Sequence, residues 1–221
     1  MKRILLALAL AAAPISSAAG QMSIEQPGTV AHGPAGAFFP ARFGELRRIS
    51  AHQYDEGGRD LSATYQLDRP GGNFLVSIYV YPAPRVTGRR RAAARATICQ
   101  QRFAEAQAAI TSRAEFDGTR LIAEDQAPAV EGVAPALRRR AAYSLTGTLV
   151  GPRQALRSQL FLYCYAGGDW LVKYRATGPA DFDSDTIMAE LIRSGPWPGR
   201  AAPSDPGTIA LRDAPTPVRL R

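Results

Sequence analysis

The chain has 221 residues, with 27 Lys and Arg against 19 Asp and Glu for a formal charge of +8, and only two His and two Cys. So few imidazoles and thiols, at no ligand-like spacing, argue against a transition-metal centre and against catalysis by a histidine-activated nucleophile. A basic balance of this size would suit phosphate backbones, but nearly every positive residue is Arg, as GC-rich coding produces, and the start of the chain points away from nucleic acid.

Met1, Lys2 and Arg3 form a positive head, residues 4–14 are apolar and uncharged, and residues 16–20 are small. This is the three-part layout of a secretory signal peptide. Cleavage after Ala19 or Gly20 puts small side chains at both required positions. The apolar stretch falls short of the roughly 20 residues that span a bilayer, and no Cys lies near the cleavage point to carry a lipid. Residues 1–20 are therefore expected to be removed, leaving a chain in the bacterial periplasm or secreted, with no later membrane-spanning segment. Lys173 is then the only lysine.

Residues 21–37 are rich in Gly, Pro and small side chains and read as an irregular lead-in. A strand is expected over 46–54, followed by the turn Asp55-Glu56-Gly57-Gly58. In 61–67, Leu61, Ala63, Tyr65 and Leu67 alternate with Ser62, Thr64 and Gln66, the period of a half-buried strand. After Pro70-Gly71-Gly72, residues 73–81 place Phe74, Val76, Ile78 and Val80 on one face and Leu75, Ser77, Tyr79 and Tyr81 on the other. Short turns between the three suggest an antiparallel meander.

The period changes over 89–113, which lacks Gly and Pro and predicts a long helix. Ala92, Ala96, Cys99, Phe103, Ala106 and Ile110 form its apolar stripe. A short strand over 119–124 and a loop over 125–135 follow. Strands over 141–150, 155–166 and 170–176 form a second meander, with Leu156, Leu160, Leu162 and Cys164 sharing a face. A short helix over 183–193 has Asp183 or Ser184 to cap it. Residues 196–221 are proline-rich and read as a disordered or loosely draped tail. The pattern predicts one α+β domain over 38–195, an antiparallel sheet with the long helix on one face and a short C-terminal helix. Cys99 on the helix stripe and Cys164 on a strand face can point into one layer, so a disulfide is expected over two buried thiols.

Phe39-Pro40, Phe43-Gly44, the run Ser77-Ile78-Tyr79-Val80-Tyr81-Pro82 and residues 162–174 are similar to those of small exported bacterial proteins of unassigned role. Over residues 38–193 the arrangement resembles the alpha/beta/alpha sandwich of the PsbP and Mog1 proteins. The resemblance implies a fold and no catalytic residue. PsbP serves photosynthetic water splitting and Mog1 nuclear transport, and fold likeness transfers neither role.

No G-x-S-x-G elbow, Walker loop, C-x-x-C or H-x-x-x-H occurs. Asp181, Asp183 and Asp185 alternate like calcium ligands but lack the central Gly and the twelfth-position Glu. Any two acids can converge in a fold as paired carboxylates for a hydrolase, and the candidates are Asp55, Glu56, Asp60 and Asp169, all next to turns. The better candidates are binding residues: Tyr79 and Tyr81 with Phe161, Tyr163 and Tyr165 on a sheet face away from the helix, and Arg138, Arg139 and Arg140 just before a strand. The aromatics are either a second core layer or an exposed surface. Arg89, Arg90 and Arg91 form a further basic cluster. The reading is a non-enzymatic periplasmic domain binding an envelope protein, another envelope component or an anionic surface, without cofactor, metal or nucleic acid. The alternatives are a hydrolase using converged carboxylates and a structural accessory.

Overall fold

The computed structural model describes residues 21–200 apart from 134, 136, 150 and 151, together with the backbone of 208 and 209. The expected leader and most of the expected tail lie outside the described residues. The strands are β1 (Met22–Ser23), β2 (Val30–His32), β3 (Ala37–Phe39), β4 (Arg42–Phe43), β5 (Leu46–Gln53), β6 (Leu61–Leu67) and β7 (Phe74–Pro82). Helix α1 (Arg91–Thr111) leads to β8 (Phe116–Asp125), β9 (Leu137–Gly147), β10 (Gln154–Ala166) and β11 (Trp170–Pro179). Helix α2 (Ser184–Ser194) and β12 (Thr208–Ile209) complete the order.

Among the described residues ten strands form one sheet, in the order β12-β4-β5-β6-β7-β11-β10-β9-β8, with β1 added on β5. All pairings in it are antiparallel except β12 on β4. Two meanders, β4 to β7 and β8 to β11, are thus joined side by side where β7 meets β11. Helix α1 leaves β7 in the middle of the sheet and must deliver the chain to β8 at its far edge. It therefore crosses the second meander, packing chiefly on β10 and β9.

The helix stripe buries Cys99, Phe103 and Ile110 against Tyr143, Leu160, Leu162, Cys164 and Leu171. Each such apolar side chain stabilises by about 1.5–3 kcal/mol. No side chain caps the start of α1 and its first turn holds no acid, so packing rather than local signals holds it. The expected disulfide is present: Cys99 and Cys164 are bonded, with Cα atoms 5.9 Å apart.

The opposite face carries the larger core. Val76, Ile78, Tyr163 and Tyr174 pack with Met188, Leu191 and Ile192 of α2 and with segments from both ends of the described chain. Asp183 caps α2, its carboxylate accepting the Thr186 hydroxyl at 2.9 Å, and Arg193 sits in the last turn, where the helix dipole favours a cation. Asp185, in the first turn of α2, accepts from Arg140 at 2.9 Å, Arg157 at 3.0 Å and Gln159 at 2.6 Å, which ties α2 to β9 and β10.

Several boundaries differ from the sequence reading. The lead-in holds β1, β2 and a 3₁₀ turn at Gly33–Ala35, and Val30, His32 and Ala35 are buried. Arg48 fastens it by donating to the carbonyls of Phe39, Gln26 and Gly28. Strand β9 begins at Leu137, so Arg138 to Arg140 lie inside it rather than before it. β8 runs ten residues, most of them exposed, because an edge strand needs no apolar alternation. Trp197, placed by the sequence reading in a loose tail, is fully buried.

His32 supplies a pH-sensitive element of this core. Its Nδ1 accepts from Ala35 N–H at 3.0 Å and its Nε2 lies 3.0 Å from the Arg59 carbonyl, so Nε2–H donates and both ring nitrogens are satisfied only in the neutral form. Burial lowers its pKa, more than the Arg59 carbonyl raises it. The unfolded chain therefore takes up this proton more readily than the folded one. Stability is complete above pH about 6.5 and falls as pH drops from there. Urea unfolding at pH 7 and pH 5.5 should show this loss in the native protein and a smaller one in His32→Gln; equal losses would remove His32 as the cause.

Candidate functional site

Residues paired across an antiparallel ladder share a face, which fixes what each half of the sheet presents toward α1. His52, Ser62, Tyr79 and Lys173 form one cross-strand row, and Ser50, Thr64, Ser77 and Arg175 form the next. On β10 the same two rows continue as Leu162 and Leu160. The face is thus apolar under α1, over β9, β10 and Leu171 of β11, and more polar beyond it, over β5, β6, β7 and the rest of β11. The topology that sends α1 across the second meander leaves the first one open on this side.

Lys173 and Arg175 stand on the boundary between the two halves, both half-buried. The Lys173 ammonium rests 3.9 Å from the centre of the Tyr79 ring and 5.8 Å from that of Tyr81. Burial lowers the pKa of Lys173, and the Arg175 charge adds to the effect while Asp60 opposes it. Burial likewise lowers that of Arg175, with Arg113 adding and Tyr79 and Glu115 opposing. Neither cation is in an ion pair among the described residues. Arg175 Nη2 and His52 Nδ1 are buried with no hydrogen-bond partner there.

Beside them lie the hydroxyl pairs Thr64–Ser77 at 2.9 Å and Tyr54–Ser62 at 3.0 Å. A cleft of about 340 Å³ opens between this surface and α1, lined by Tyr54, Asp60, Tyr79, Tyr81 and Lys173 and, from the helix, by Arg102 and Glu105. The last two pair with each other at 2.8 Å. Burial raises the Asp60 pKa and Asp55 adds to it, with Lys173 opposing.

The aromatic residues singled out from the sequence do not share one surface. Tyr79 lies across the ladder from Lys173, and Lys173 from Leu162, so Tyr79 and Tyr81 face α1. Phe161 and Tyr163 point to the other side, where Tyr163 packs against Trp197 at 4.8 Å and donates to the Pro128 carbonyl at 3.1 Å. Tyr165, at φ 59° where the β10–β11 pairing shifts register, turns back toward α1. Its hydroxyl meets the Pro84 carbonyl at 3.2 Å and its ring lies 4.2 Å below Arg95. Alternation within a strand cannot phase β7 against β10, because the register runs through β11. Phe161, Tyr163 and Tyr165 are thus core, while Tyr79 and Tyr81 line the cleft.

The three arginines of β9 also separate. Arg139 faces α1, pairs with Glu124 at 2.5 Å and lies 5.3 Å from the Phe103 ring. Arg140 faces α2 and its aspartate, and Arg138 lines, together with Arg139, a second cavity of about 500 Å³ beside Val130 and Val133. Of the four turn acids, Asp60 alone lines the cleft. Asp55 accepts the backbone N–H groups of Arg59 and Asp60, and Asp169 pairs with Arg95 at 3.4 Å. Among the described residues no three His, Cys, Asp or Glu are grouped to hold a metal ion, and no helix is long and apolar enough to cross a membrane.

Lys173 and Arg175 are the functional candidates that sequence reasoning passed over. A signal was present: β11 alternates Val172, Tyr174 and Ala176 with Lys173, Arg175 and Thr177, a polar face on a strand at the centre of the sheet. Neither family models, nor curated proteins, nor solved structures give a match to this chain.

Proposed function

We propose that the chain is a non-enzymatic binding domain of the bacterial periplasm, holding an envelope component against the open half of its sheet. The observation that carries this reading is the polar face itself. A buried polar surface is normally covered or internally satisfied, whereas here Lys173, Asp60 and three tyrosines line a cleft, and on the same face of the sheet Arg175 Nη2 and His52 Nδ1 are buried without a hydrogen-bond partner among the described residues. The leader supplies the compartment. The disulfide agrees with an oxidising one. Kinship with the PsbP and Mog1 sandwich is a proposal about fold alone, supported by helices on both faces of two joined meanders.

Native mass spectrometry on protein gently isolated from the periplasm tests the reading, with Ser77→Trp as a block in the open face. The mature chain is expected to begin at Gly20 or Gln21 and to carry a bound component that the block removes. A component that survives the block, or a chain retained in the cytoplasm with its leader, would overturn it.

A further inference from the structure

We propose that Lys173 and Arg175 form a site for one compact anionic group, a carboxylate or a phosphate, at the boundary of the covered and open halves of the sheet. This deepens the reading above and rests on the same face. The two residues are two apart on β11, so their side chains leave the same side of the strand about 7 Å apart, a span that one oxyanion can bridge. Lys173 has Tyr79 as its neighbour on β7 and Leu162 on β10; Arg175 has Ser77 and Leu160. Each cation is therefore flanked by a dry wall under α1 on one side and by hydroxyl-bearing residues on the other. Charge-assisted hydrogen bonds are strongest where water is partly excluded.

Asp60 acts on Lys173 and Glu115 on Arg175 through space, but among the described residues no acid forms an ion pair with either cation. The cation–π contact of Lys173 with Tyr79 steadies the ammonium but leaves its charge. The buried Nη2 of Arg175 has no acceptor among the described residues. An oxyanion would supply one, and the Thr64 and Ser77 hydroxyls, now bonded to each other, lie in the same cross-strand row as Arg175 to donate to its remaining oxygens.

The neighbouring acids set the size of the ligand. Asp60 lines the cleft on the Lys173 side and Glu105 lines its helical wall, so a second negative group extending that way would meet like charge. The arrangement suits a single anionic group directed at Arg175, with a neutral or hydrogen-bond-donating body lying toward Asp60 and Tyr54. An extended polyanion is disfavoured.

The test is amide-shift titration of the mature protein with inorganic phosphate and, separately, with acetate, at ionic strength held constant by chloride. Saturable shifts centred on β7 and β11 are expected in at least one arm, and the tighter arm tells phosphate from carboxylate. Lys173→Gln and Arg175→Gln should each weaken that binding about tenfold or more, and Lys173→Arg should weaken it less. Linear shifts, or saturation unchanged in both Gln variants, would overturn the assignment. Should Arg175→Gln fail to fold, Lys173→Gln decides alone.

The two readings fail separately. If Ser77→Trp strips a native component while neither anion saturates, the open face binds something neutral and the anion assignment falls. If phosphate or acetate saturates but the block strips nothing, the anion site stands and the envelope-component reading falls.

Discussion

Replacing Cys99 and Cys164 together by alanine is expected to lower the unfolding free energy by about 4 kcal/mol. The bond spans a sequence separation of 65, and closing a loop of that length removes about this much chain entropy from the unfolded state. Both residues are buried, Cys99 at 1% and Cys164 at 0% exposure, so the lost sulfur atoms add a small packing term of the same sign. Urea unfolding with and without reductant checks the expectation. Reductant should shift the midpoint of the native protein strongly and that of the double variant not at all. An unshifted native midpoint under full reduction would mean that α1 packing alone fixes the helix on β9 and β10.

Trp197→Ala should cost about 3–5 kcal/mol, the range for emptying a fully buried aromatic site. The indole N–H donates to the Ile192 carbonyl at 2.7 Å, which satisfies a carbonyl near the end of α2, and the ring meets Tyr163 edge-on at 4.8 Å and Tyr174 at a tilt at 5.8 Å. Gly195 makes the return possible: a Cβ there would meet the Tyr174 hydroxyl and the Leu191 carbonyl. Truncation after Ser194 is therefore expected to destabilise as severely as the alanine change, and Trp197→Phe, which keeps a ring but no donor, to fall between. If thermal unfolding shows the truncated chain as stable as the full one, α2 holds without this plug.

What was legible in the sequence followed from periodicity. Alternation in β6, β7 and β10 and the three-four spacing of α1 gave the elements, and Cys99 on the helix stripe with Cys164 on an apolar strand face gave the disulfide. What was not legible depended on register. Tyr79 and Tyr163 each sit on a strand with two distinct faces, and only the chain of pairings through Lys173 shows that they point to opposite sides of the sheet. The lead-in escaped notice because β1, β2 and β3 are two or three residues long and too short to carry a period. Trp197 escaped because its proline- and glycine-rich neighbours mimic a tail. The cations of the cleft were readable in β11, but the strand order was needed to see that α1 leaves them open.

The seam between β7 and β11 bears on how the molecule is assembled. Within each meander the neighbouring strands of the sheet are neighbours in sequence, so each hairpin closes a short loop. The seam joins strands separated by α1, β8, β9 and β10, and its loop-closure entropy must be met before any of its hydrogen bonds form. Until β11 has been made, the first meander ends in a bare, strongly apolar β7 edge of the kind that recruits other chains. A polypeptide kept unfolded until its whole length is available never presents that edge alone.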